Sequence, residues 1–289
     1  MKYVIKSNYN TSLLHFVDYM SMWNEHINNH NYIWFKKNFY INSTDKMYLE
    51  KYRKIRSRLG WEKESTLLIW AYNNFTGNKH KKIKEILLHF ENKRSRSGIP
   101  LSRYIEKKQS KIDKVIPRIE IKLTQKKYSL KKVISLSPTQ KKYKKINIFL
   151  VPSFNRSEYQ AGANGSGVMI EIPGRFRIRE VMTLILHELF HKVGNISTYL
   201  DKYPDKKLRK VLNRKVDNTM ESRNKDIVEE SFAYLLTNVR INKENVNVKL
   251  REYKKIRSIR ERNYFVSIWE NIKILVGRKD PIETIPELI

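Results

Sequence analysis

Val181-Met182-Thr183-Leu184-Ile185-Leu186-His187-Glu188-Leu189-Phe190-His191 is the stretch on which the reading of this chain turns. A mostly apolar run leads into two histidines four positions apart, with a glutamate directly after the first. On a helix, positions i and i+4 lie one turn apart on the same side, so both imidazoles can hold one zinc ion. Glu188 projects beside them, where its carboxylate can take a proton from a water on the metal. The pattern predicts a helix over Arg177–Lys192, stopped by Gly194 with Asn195 behind it.

Upstream, Ile146-Asn147-Ile148-Phe149-Leu150-Val151-Pro152 predicts a strand ended by proline. A loop over 155–167 with Gly162, Gly165 and Gly167 leads to a second strand, Val168–Ile172, closed by Pro173-Gly174. An exposed edge strand ahead of a metal helix can pair with an extended peptide backbone, and 168–172 is the expected edge. Downstream, Asp226–Thr237 predicts a helix whose face of Ile227, Val228, Ser231, Tyr234 and Leu235 is interrupted by Glu229 and Glu230. A carboxylate on an apolar face costs free energy unless it is paired or bound to metal. The alternative is that both glutamates sit at a helix start, favoured by the helix dipole and by solvent. Two histidines leave a catalytic zinc one protein ligand short. The seven histidines are His15, His26, His30, His80, His89, His187 and His191, so a ligand from the later sequence is a carboxylate.

On these residues the chain resembles the gluzincin zinc peptidases, the group that includes thermolysin. There a histidine pair with its intervening glutamate lies on one helix, and a glutamate on a later helix completes the site. The resemblance spans about residues 146–238. It implies His187, His191 and Glu230, in preference to Glu229, as ligands of a catalytic Zn2+, with Glu188 as general base in the hydrolysis of a peptide or protein substrate by an endopeptidase. In that group a small residue often follows the third ligand by three positions, and an aspartate follows it by four. Ala233 fits the first; Tyr234 stands in place of the second. Tyr234 can donate or accept a hydrogen bond there and is the expected further catalytic residue. Tyr199, Arg223, Tyr253 and Tyr264 are the other candidates for a second donor to the oxyanion. The absence of a downstream histidine separates the chain from metzincins.

The rest of the 289 residues bounds these readings. There is no cysteine, which excludes disulfides, thiolate zinc sites and cysteine nucleophiles. The formal net charge of +30 points to an anionic partner, nucleic acid or acidic protein, or else to solvated lysine-rich faces. The first half predicts helices over Ser12–Trp23, with Leu13, Phe16, Val17, Met20 and Trp23 close to its stripe, over Trp61–Phe75 and over Lys81–Phe90. A turn at Glu91–Pro100 follows, then a basic stretch over 101–145 expected as exposed helix or edge strand. The expected organisation is a mostly helical basic region at 1–143 and a zincin-like domain at 144–289. The fold class is therefore α+β, mostly helical, with a small sheet packed on the histidine helix. Met1–Asn8 lacks the apolar run of a signal peptide, and no segment reaches the 18 apolar residues of a membrane span. The expected location is the cytoplasm, with leaderless export as the alternative. The competing functions are a nucleic-acid-associated basic protein with a structural or vestigial zinc site and a toxin-like peptidase that finds an anionic target by charge.

Overall fold

Helix α1 (Tyr9–Ser21) begins, in the computed structural model, at a reciprocal cap. The Asn8 side chain accepts from the Thr11 backbone N–H at 2.9 Å, and the Thr11 hydroxyl accepts from the Asn8 N–H at 3.1 Å. Two of the donors that a helix start leaves without partners are thereby satisfied. The structure describes residues 2–24, 27, 29–78, 80–125, 145–154, 160–163 and 167–193. They form a mostly helical α+β arrangement with a small mixed sheet. Two compact units divide the chain: residues 1–124 with 143–185, and residues 125–142 with 186–289.

In the first unit α1 is the innermost helix, with every residue from Thr11 to Ser21 buried. It packs against α2 (His30–Asn38), α3 (Ser43–Leu59), α4 (Glu64–Tyr72), α5 (Lys81–Glu91) and α6 (Leu101–Asp113). Leu13, Phe16, Val17 and Met20 face this core as their spacing predicts, while Trp23 lies beyond the helix end at Met22, whose φ of 53° turns the chain. Trp23 and Trp70 are buried, and Trp34 and Trp61 pack on the core, so these aromatics fill the interior. Expected helix 61–75 is a short 3-10 turn at Trp61–Lys63 followed by α4; Asn74 and Phe75, both at positive φ, end it. The basic stretch after Pro100 is helical as far as Gln125, in α6 and α7 (Ile116–Gln125); 126–144 lie outside the described residues.

Four strands make the sheet: β1 (Lys2–Lys6), β2 (Lys145–Pro152), β3 (Gln160–Gly162) and β4 (Gly167–Ile172). Their order is β1-β2-β4-β3, with β1, β2 and β4 parallel and β3 antiparallel to β4. Residues 146–152 and 167–172 are all buried, so both faces of the central pair are covered and the strands read as apolar runs, not as alternation. Phe149, Val151 and Met169, which share one face by register, join the core around α1. Gly167 fits closely there: a Cβ would stand 3.1 Å from the Phe149 ring and 3.2 Å from the Asn147 carbonyl oxygen, so its neighbours would have to shift by a few tenths of an ångström. One feature of the sheet departs from expectation: β4 is paired on both sides, by β2 and by β3, so 168–172 is not an edge. On its other side β2 pairs in parallel with β1.

Helix α8 (Ile178–Val193) follows β4 and carries the histidine pair, one residue offset from its expected span. Among the described residues no helix is long and apolar enough to cross a membrane.

Candidate metal centre

The last two turns of α8 bring together three of the expected site residues. Helical geometry places His187 and His191 on one side, and their Nε2 atoms stand 3.0 Å apart. The rings meet nearly edge to face, centroids 4.6 Å apart at 78°. With one ring a donor and the other an acceptor, this is an N–H···N hydrogen bond. It is also close to the separation that a metal imposes. Two Zn–N bonds at a tetrahedral angle set their nitrogens roughly 3.3 Å apart.

His187 and Glu188 are 6% and 8% exposed, and Leu189 is fully buried. Three consecutive helical positions cover more than half of the circumference, so this turn is enclosed on more than one side. His191 is half-buried. A histidine and a carboxylate withdrawn from water on one turn are costly to keep without chemistry or strong partners. The donor set thus fits a borderline metal that takes imidazole nitrogen. Among the described residues no group of three His, Asp or Glu side chains is placed to hold a metal ion. Glu229, Glu230 and Tyr234, with Tyr199, Arg223, Tyr253 and Tyr264, lie outside the described residues.

The other buried ionisable groups surround α1. Asp18 accepts from Arg56 Nε at 2.8 Å and from the Tyr52 hydroxyl at 3.1 Å. Burial opposes the charge on Arg56, but Asp18, Tyr52 and Glu64 outweigh it and hold the guanidinium protonated. Burial also drives the Tyr52 and Tyr19 phenols well above their ordinary range. His15 Nε2 lies 3.6 Å from Glu171 Oε1, both side chains almost wholly enclosed. His89 stands 2.9 Å from Asp45, whose carboxyl burial pushes up but Lys93, the Asn42 N–H and His89 hold below 3.8.

Sequence reasoning passed over Lys108. Its ammonium donates to the Ser153 carbonyl at 2.7 Å and lies 4.6 Å from the Phe154 ring centroid. Burial, with Lys111 adding repulsion, pushes its pKa down to about 8. The signal available was Lys107-Lys108 followed by Lys111 on an amphipathic helix, which by itself reads as a solvated face.

No family model matches the chain, and no curated protein or solved structure matches it either.

Proposed function

We propose that this chain is a zinc-dependent peptidase of gluzincin type. The observation that carries the reading is the convergence of His187 and His191 Nε2 at 3.0 Å on a buried turn that also holds Glu188. His187 and His191 hold the metal, with Glu230 as the third ligand by resemblance. When bound, zinc supplies a Lewis acid that lowers the pKa of water and polarises a carbonyl. Glu188, one residue from the first ligand and shielded from solvent, takes the proton of the attacking water and returns it to the departing amine. Tyr234 is assigned to steady the ligand shell or the oxyanion by a hydrogen bond. The order of elements, strands β2 to β4 followed directly by the histidine helix, agrees with a zincin-like domain.

The deciding experiment measures zinc per chain for the wild type, His187→Ala and Glu230→Ala, purified without added metal. About one zinc in the wild type, lost in both variants, supports the three-ligand site. Normal zinc in Glu230→Ala moves the ligand first to Glu229. No zinc in the wild type after reconstitution overturns the proposal.

A further inference from the structure

The parallel strands β2 and β4 end side by side, and the Ser153 N–H donates to the Ile172 carbonyl at 2.7 Å where they stop. A recess of about 150 Å³ opens beyond these carboxyl ends, between them and α6. In open α/β sheets ligands bind outside the carboxyl ends of parallel strands, and this recess has the same relation to β2 and β4. The recess lies wholly within the first unit and does not depend on the metal centre.

Its walls divide by chemistry. Ile112, Pro152, Ile172 and Phe176 give an apolar floor. Lys107, Lys108 and Lys111 stand along one side, and no carboxylate lines it. Three like charges within five residues of one helix repel one another, and one of them is largely removed from water. Ser153 occupies one of the three N–H donors of Lys108. An anion in the recess would take up others and relieve the repulsion. The volume equals that of an apolar cavity able to hold benzene.

We propose that this recess binds an organic anion: a carboxylate or phosphate held by Lys107, Lys108 and Lys111, carried on an apolar body of about one ring. Lysines act as point charges and accept either head group, whereas bidentate selection would call for arginine.

Calorimetric titration of the full chain at 0.15 M salt tests it, with phenyl phosphate and phenylacetate as probes and with benzyl alcohol and inorganic phosphate as controls. The expected result is one site per chain for at least one aryl anion, with both controls at least about tenfold weaker, since each lacks half of the recognition. Preference for phenyl phosphate or phenylacetate then identifies the head group. Lys108→Met with Lys111→Met should weaken the better probe by about tenfold or more. The exposed pair Lys51→Met with Lys54→Met on α3 should leave it unchanged. Lys111→Gln alone, at an exposed position, gives a reading if the double variant fails to fold, with weaker binding expected. Affinity should also fall between pH 7 and 9.5 as Lys108 gives up its proton. Burial, Lys111 on its own helix and Glu171 on β4 set that titration, and Lys107 also lines the recess. No binding at millimolar probe, equal binding of benzyl alcohol, no loss in the recess variants, or the same loss in the α3 pair would each overturn the proposal.

Discussion

Helices α1 and α8 both take histidine and carboxylate into the interior, and α1 ties its own to distant elements. Along α1, Ser12, His15 and Asp18 recur every three residues, and each meets another element: Gln109 of α6, Glu171 of β4, Arg56 and Tyr52 of α3. On α8 the two imidazoles meet each other, one turn apart. A buried polar group tied to a distant element holds that element in place, and its loss is felt as instability. Two imidazole nitrogens that meet within one turn can instead serve as a donor set for one metal. Position on a buried apolar helix therefore does not by itself separate a structural histidine from a ligand.

The sharpest way to break this contrast is Glu188→Gln. Hydrolysis by the zinc-loaded protein should fall by up to about 10⁴-fold, ~5.5 kcal/mol in the barrier, with zinc content and urea midpoint unchanged. Retained turnover would remove the catalytic assignment, and a collapse of the midpoint would place α8 with α1. Asp18→Asn makes the reverse test. It leaves Arg56 buried without its carboxylate and should cost about 3–5 kcal/mol in urea unfolding, with no effect on zinc content. A third measurement sets metal against stability. Zinc at 100 times its Kd should stabilise the wild type by about 2.7 kcal/mol and leave His187→Ala unmoved. Equal stabilisation of both would mean that zinc binds elsewhere. The smallest effect tests whether α1 is held by distant contacts more than by its own start. Asn8→Ala removes the cap together with the Asn8 donation to the Tyr72 carbonyl and should cost about 1–2 kcal/mol by the same unfolding assay, still below Asp18→Asn.

What could be read in advance follows the same division between local and distant. Helix periodicity located α1, α5 and α8 because Leu13, Phe16 and Val17, or Ile83, Ile86 and Leu87, show their stripe within two turns. The His187–His191 geometry was legible for the same reason, since a single turn fixes it. β1 was missed: Lys-Tyr-Val-Ile-Lys is too short to show a pattern, and what makes it a strand is β2, far along the chain. The burial of β4 between two partners was beyond reach too, because the order of elements carries no register. Arg56 and Asp18 read as surface charges until α3 lies against α1. The lysine recess depends on two strand ends arriving beside α6, which no window of sequence contains.

The pairing of β1 with β2 also sets a clock on the making of the molecule. Ser7, at the end of β1, donates to the carbonyl of Leu150, 143 positions later. At roughly 5–20 residues per second, a ribosome needs about 7 to 30 s to supply that partner. The helices that enclose α1 are all made within that interval, from residues already outside the tunnel or entering it. The nascent chain thus carries its first strand without β2 while the residues of those helices are already available.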